Sequence, residues 1–114
     1  MAKDERTERL LAERFLAERA LRELPSLRAL SRAQALHWLN TLVFDIRQAE
    51  NVTVPISKHA SAAREKALVA IGLVGIALDS NPGRQSDLDA LWDSAIERVG
   101  TWHQAVASKI PPAG

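Results

Sequence analysis

Cysteine is absent from this chain of 114 residues, and so is tyrosine. The lack of cysteine excludes disulfide bonds and thiolate metal sites, and it fits a protein of the reducing cytoplasm. Only 4% of the residues are aromatic, and glycine and proline number five each. Leucine, alanine, valine and isoleucine must therefore build most of any core, for which an apolar content of 46% is sufficient.

No charge of one sign dominates the chain. The 15 basic and 14 acidic residues leave a formal net charge of +1, so nucleic-acid binding would depend on where the charges lie and not on their sum. The longest apolar run, residues 67–78, is shorter than the roughly 20 residues that span a bilayer. The first ten residues are too charged for a secretory signal, so a cytoplasmic location without a membrane partner is expected.

Hydrophobic spacing predicts an all-α fold, a compact bundle of four main helices plus a short turn helix. Residues 1–110 are expected to form a single helical-bundle domain, followed by a flexible C-terminal end over residues 111–114. The four main helices are predicted to span Lys3–Leu24, Arg32–Ala49, Lys58–Asp79 and Asp87–Lys109.

Local signals separate these helices. Pro25 is expected to end the first helix, because the residue before a proline disfavours the α region, and residues 26–30 then form the turn helix. Ser31 and Gln34 have the capping-box spacing, which predicts that the second helix starts at Arg32. A loop at residues 50–57 and a turn at residues 80–85, with Ser57 and Ser86 as caps, precede the other two helices.

The third helix is the most apolar of the four. From Ala67 onward it is apolar on all sides, so it is expected to be buried on most of them. Gly72 and Gly75 lie inside it and each costs about 1 kcal/mol against alanine, which predicts the close approach of a neighbouring helix. The other expected core positions are Leu10, Leu11, Phe15, Ala17, Leu21 and Leu24; Ala35, Leu36, Trp38, Leu39, Leu42, Val43 and Ile46; and Leu88, Leu91, Trp92, Ala95, Val99, Trp102 and Val106.

The chain has no pattern typical of a catalytic or metal site. Asp45 is the only acid in the second helix before residue 50, and it has no carboxylate partner by local spacing. None of the three histidines has a histidine or carboxylate at the i+3 or i+4 position of a helical metal site. We therefore expect no enzyme activity, no cofactor and no small-molecule substrate.

Charge placement gives the clearest functional signal. No acid occurs from Arg28 to Phe44, while basic residues open the second helix and, opposed only by Glu65, the third. If the two helix starts face the same way, they form a basic patch beside free backbone N–H groups that would contact phosphates. Without interleaved aromatic residues, such a patch would not read sequence. The candidate nucleic-acid-binding residues are Arg28, Arg32, Arg47, Lys58, Arg64 and Lys66.

Three segments also form an ordered pattern: LPS at residues 24–26, AQALHWL at residues 33–39 and LWDSAIERVGTWHQAVASK at residues 91–109. This pattern resembles the small α-helical subunit of CRISPR–Cas effector ribonucleoproteins, especially the Cmr-type small-subunit family of type III-like or type IV-like complexes. The chain departs from the family pattern at Arg32 and Ala33, where a Gly-Leu pair is usual. It departs again at His103 and Gln104, where a basic pair is usual.

The resemblance implies a non-catalytic subunit that stacks along the backbone subunits of the complex, in several copies. Its implied partners are those CRISPR backbone subunits, other copies of itself, and the crRNA and target nucleic acid, whose phosphates its basic residues would hold. The residues leave a second hypothesis open, a helical protein-interaction or adaptor module without nucleic-acid binding. An unusual enzyme is the third and weakest alternative.

Overall fold

The computed structural model describes residues 2–49, 58–80 and 85–110. They form four helices and, within those ranges, no strand: α1 (Ala2–Arg28), α2 (Arg32–Ala49), α3 (Lys58–Ser80) and α4 (Gln85–Ala107). The predicted all-α bundle of four main helices is confirmed. The predicted loop at residues 50–57, the turn residues 81–84 and the flexible end at residues 111–114 lie outside the described ranges.

The end of α1 differs from the prediction. The helix passes through Pro25 and ends at Arg28, so there is no separate turn helix: residues 26–28 are the last turn of α1. Leu24 and Leu27 are buried in the core, which holds this turn in the helical conformation. The missing N–H of Pro25 removes only one hydrogen bond of the helix. The chain then reverses through two hydrogen bonds between residues three positions apart, from Ala29 N–H to Ser26 O (3.2 Å) and from Leu30 N–H to Leu27 O (3.1 Å).

The local capping signals predict the start of α2 correctly but not the start of α4. The N–H of Gln34 donates to the Ser31 hydroxyl at 3.4 Å, and α2 begins at Arg32 as predicted. The α4 helix begins at Gln85, so Ser86 lies inside its first turn and the prediction that Ser86 caps it is wrong.

The four helices are arranged as an antiparallel ring, in which each packs on the next and α4 closes on α1. Arg47 at the end of α2 pairs with Glu65 near the start of α3, while Arg32 at the start of α2 donates to the Ala77 carbonyl near the end of α3. The contact between α3 and α4 is the most extensive and that between α1 and α2 the smallest. The bundle measures 52 × 22 × 21 Å.

The core lies along the axis of this ring, with Trp92 and Trp102 of α4 fully enclosed. The predicted α4 stripe is confirmed, except that Leu91 is only partly buried. On α1 and α2 the predicted faces are too wide, because Phe15 and Trp38 are exposed. The buried positions of α1 and α2 are Leu10, Ala17, Ala20, Leu24, Leu27, Ala35, Leu39, Leu42 and Ile46.

The expectation that α3 is buried on most sides is confirmed except along one outer stripe. Val69, Leu73 and Ile76 are exposed along one outer stripe, although the opposite face, which includes Ile71 and Val74, is fully buried. The reason is the arrangement of the bundle: α3 packs against α2 on one side and α4 on the other, and no described helix covers its outer side. An apolar surface therefore remains exposed on this helix.

Candidate functional site

Arg64 is buried and does not contribute to a surface patch. Only 5% of Arg64 and 3% of Glu13 are exposed, and the guanidinium lies 3.5 Å from the Glu13 carboxylate inside the bundle. Glu13 also accepts a hydrogen bond of 3.0 Å from the Trp102 indole. The prediction that Arg64 contacts nucleic acid is therefore corrected, because a buried and paired guanidinium has no access to a phosphate.

The two arginines near the start of α2 already have partners within the chain. Arg28 lies 2.6 Å from Asp93 and 3.3 Å from Asp89 of α4, and the hydrogen bond to Asp93 is the main cause that raises the pKa of its guanidinium. Arg32 donates to the Ala77 carbonyl at 3.3 Å, which helps to satisfy the end of α3. Any phosphate contact by Arg28 must compete with two carboxylates.

The remaining candidates lie toward the other end of the bundle. Arg47 pairs with Glu65 at 2.9 Å across α2 and α3. Lys58 and Lys66 are exposed on α3. Contact with nucleic acid by these side chains stays a prediction.

The two basic helix starts do not converge into one patch. Because α2 and α3 are antiparallel, Arg32 lies beside Ala77, whereas Lys58 lies at the opposite end of α3. At about 1.5 Å per residue, Lys58 and Ala77 are about 28 Å apart along the helix. A single basic patch required the starts of α2 and α3 to lie at the same end of the bundle, and they do not.

A different basic grouping occurs where α3 meets α4. His59, Lys66 and Arg98 line a small cavity of about 90 Å³ together with Ala62, Ala63 and Thr101. We call His59, Lys66 and Arg98 the α3–α4 basic cluster. All three side chains are exposed. Arg98 was not among the sequence candidates, because no local pattern places it beside residues that precede it by more than thirty positions.

A larger cavity of about 400 Å³ lies between α2 and α3, and we call it the α2–α3 groove. A side-chain Cβ added at Gly72 would meet no atom within 4 Å, and one added at Gly75 would meet only Leu36 Cδ1 at 3.8 Å. Within the part of the chain that the structure describes, no helix makes the predicted close approach at Gly72. The groove is lined by Leu36, Leu39, Asn40, Val43, Ile71, Gly72, Gly75, Ile76 and Asp79.

Apart from Asn40 and Asp79, the lining of this groove is apolar. Val69, Leu73 and Ile76 follow one another along the outer side of α3, and Phe44 is exposed on α2. No charged residue occurs in α3 between Lys66 and Asp79. A continuous surface of this kind is typical of interaction sites.

A third cavity, of about 240 Å³, lies between α1 and α2 and contains the exposed Trp38. Burial lowers the pKa of Arg19, but hydrogen bonds to Asp45 and Glu23 outweigh this effect and raise it overall. Arg19 lies 2.9 Å from Asp45 and 3.2 Å from Glu23, so it ties α1 to α2 beside the cavity. The cavity is lined by Arg19, Arg22, Glu23, Ser26, Leu27, Leu30, Trp38 and Thr41.

No protein-family description, characterised protein or solved structure matches this chain. Among the described residues, no group of three or more histidine, aspartate or glutamate side chains is placed to hold a metal ion. None of the four described helices combines the length and the apolarity needed to cross a membrane. The function must therefore be argued from the surfaces themselves.

Proposed function

We propose that this chain is a non-catalytic helical subunit that joins a larger assembly by receiving a helix of another protein in the α2–α3 groove. The observation that carries this proposal is the pair Gly72 and Gly75, in the middle of a helix that does not need them. Each glycine costs about 1 kcal/mol of helix stability against alanine. Both positions have room for a methyl group in the isolated chain.

Glycines inside a helix allow a second helix to approach closely, since they remove the side chains that hold the two backbones apart. The exposed stripe of Val69, Leu73 and Ile76 beside the groove supplies the apolar contact. Helix-in-groove binding uses this combination, with anchors on the incoming helix at intervals of three and four residues.

The chemistry of the groove also defines its partner. On α3, charge is confined to the ends of the exposed stripe, at Lys66 and Asp79, and Asp79 lines one end of the groove. A buried charge without a partner is costly, so the incoming helix must present an uncharged apolar stripe of about three turns.

The test compares Ile76→Asp with Phe15→Asp in the tagged chain purified from its native cells. Ile76 and Phe15 have nearly equal exposure, 63% and 61%, but Phe15 lies on α1, away from the groove. We expect the wild type and Phe15→Asp to retain a partner protein in stoichiometric amount, and Ile76→Asp to lose it at least tenfold. Circular dichroism of both variants checks that the bundle is intact.

Two results distinguish the possible partners. A partner of different mass supports the proposal as stated. A purified wild type that is a dimer, and becomes a monomer with Ile76→Asp, identifies the partner as a second copy of this chain. Loss of the partner to the same extent in Phe15→Asp, or no stoichiometric partner in the wild type, contradicts the proposal.

A second proposal places this subunit in a CRISPR effector ribonucleoprotein, with contacts to the phosphates of crRNA and target. The sequence resemblance supports it, and so does the exposed α3–α4 basic cluster next to Lys58. Each copy is nearly neutral, with a net charge of +1. Several stacked copies would still bind nucleic acid well, because their weak phosphate contacts add up. Genes for CRISPR backbone subunits beside the gene for this chain would support the same assignment.

Charge reversal at the cluster tests the nucleic-acid part of this proposal. We expect Lys66→Glu/Arg98→Glu to lower the RNA recovered with the assembled complex while its protein partners remain. The slope of log affinity against log salt should fall by about 0.7 for each lost phosphate contact on a single strand. The control is Lys109→Glu, another exposed basic position. Unchanged RNA recovery and slope would reject a phosphate role for the cluster.

A further inference from the structure

We propose that the cavity between α1 and α2 binds a nucleobase together with its adjoining phosphate. Its volume of about 240 Å³ is below the range of about 300 to 1,000 Å³ that is typical of pockets for drug-sized ligands. The size therefore suits one planar group. The lining provides an aromatic ring, two hydroxyl groups and an arginine that forms no ion pair with the acids the structure describes.

Trp38 supplies the stacking surface for the base. It is 51% exposed, whereas Trp92 and Trp102 are buried in the core. The His37 ring lies edge-on to the indole, with centroids 5.2 Å apart and an angle of 76° between the planes, so the face of the indole is not stacked on this ring. Bases of any identity stack on exposed aromatic side chains of this kind.

The two arginines of the cavity have different roles. Arg19 is held by the carboxylates of Asp45 and Glu23, so its charge is already matched. Arg22 is exposed, and no ion pair within the described ranges engages it. Its guanidinium therefore remains available for a phosphate, which it can bind through two parallel hydrogen bonds.

Polar groups on both helices complete the site. The Thr41 hydroxyl donates to the His37 carbonyl at 3.1 Å, so its oxygen still has a lone pair for an amino group of a base. Ser26 lies on the opposite wall, while Leu27 and Leu30 form the apolar part of the lining. A stacked base with one phosphate uses each of these features, whereas an acidic peptide would leave the aromatic wall unused.

This inference extends the nucleic-acid part of the proposed function, but it depends on α1 and α2 side chains alone. The α3–α4 basic cluster and the α2–α3 groove contribute no residue to the cavity. The two nucleic-acid proposals can therefore fail separately: Trp38→Leu tests this cavity and Lys66→Glu/Arg98→Glu tests the cluster.

The experiment titrates the full chain with a dye-labelled single-stranded oligonucleotide of five nucleotides, followed by anisotropy at several salt concentrations. We expect Trp38→Leu to weaken binding about 5-fold to 150-fold, the range that base stacking supplies. Arg22→Gln should weaken binding and lower the slope of log affinity against log salt by about 0.7, as for one phosphate contact. Trp38→Leu should leave that slope unchanged.

Matched controls separate the cavity from general surface effects. Phe44→Leu removes another exposed aromatic side chain of α2, and Arg9→Gln removes another arginine of α1, so both should bind as the wild type does. Wild-type affinity in Trp38→Leu, or a wild-type salt slope in Arg22→Gln, overturns the proposal.

Intrinsic fluorescence of the wild type identifies the source of the base. Trp38 is the exposed tryptophan, so a stacked base quenches its emission while the core tryptophans are unaffected. Quenching by adenosine or uridine monophosphate equal to that by the oligonucleotide identifies a free nucleotide as the ligand. Quenching confined to the oligonucleotide identifies a single strand. No quenching by either ligand overturns the proposal.

Discussion

Glu13 and Arg64 form an ion pair inside the bundle and join α1 to α3 across its centre. The indole of Trp102 on α4 donates to the same carboxylate, so three helices meet at one buried acid. Removing two charges from water costs several kcal/mol for each ion. The pair is therefore weak evidence for high stability, but losing one member leaves a buried charge without its partner.

We expect Glu13→Leu to lower the free energy of unfolding by about 3–5 kcal/mol, because the charged Arg64 then loses the buried carboxylate that is paired with it. Glu13→Leu/Arg64→Met should be more stable than Glu13→Leu alone, since it removes that charge. Urea denaturation measures both variants.

The exposed acid Glu8 on the same helix provides the control, and Glu8→Leu should change the free energy of unfolding by no more than about 0.5 kcal/mol. A double variant no more stable than Glu13→Leu would show that the pair is not coupled in this way.

The burial of Arg64 could have been predicted in part from the sequence. It shares the spacing of Ala60, Ala67 and Ile71, all of which are buried, whereas Lys66 lies about 200° around the helix. The concentration of basic residues at positions 58–66 hides this helical spacing of Arg64. The partner Glu13 could not be predicted, because its position depends on how α1 packs against α3.

Helix bounds were the part of the fold most accessible to prediction, since they depend on neighbouring residues. Ser31 caps α2 where expected, and the predicted ends of α2 and α3 agree with the structure to within one residue. Besides the Ser86 cap, Pro25 is an exception: its local preference is outweighed by the burial of Leu24 and Leu27 in the core. Local rules fail where tertiary burial acts on the same turn.

The two glycines inside α3 are expected to lower the stability of the isolated chain but to favour partner binding. We expect Gly72→Ala and Gly75→Ala each to raise the free energy of unfolding of the isolated chain by about 0.5–1 kcal/mol, because a methyl group fits at both positions and restricts the unfolded chain. The same substitutions should weaken partner binding. Denaturation of the purified chain and recovery of the partner measure the two effects.

An exposed position on the same helix serves as a reference for this pair of measurements. Glu65→Ala changes a residue of α3 that faces Arg47 and does not line the groove. It should leave partner recovery near the wild-type level. Stabilised glycine variants that bind the partner as well as the wild type would refute the role given to the glycines.

At the scale of the whole molecule, the antiparallel ring determines which side chains lie next to one another on the surface. It places the start of α2 beside the end of α3, which separates the basic residues that the sequence grouped together. It also brings Lys66 of α3 next to Arg98 of α4. These juxtapositions depend on the packing of the helices, which the spacing of apolar residues does not determine.

The same ring explains why the apolar α3 helix is only half covered. Each helix of a four-helix ring has neighbours on two sides, so a helix that is apolar all round must leave part of its surface exposed. The sequence predicted that α3 needs a cover on most sides. The described helices supply only part of that cover, and the partner is proposed to supply the rest.

Site-specific photo-crosslinking in native cells shows whether a partner protein covers the α2–α3 groove. A benzophenone side chain is placed at residue 76, beside the α2–α3 groove, or at residue 15, which is equally exposed on α1. We expect one discrete crosslinked protein species from residue 76 and none from residue 15, and we expect Gly72→Leu to remove that species because it fills the groove. Equal crosslinking from both positions, or no discrete species from residue 76, would contradict the proposal.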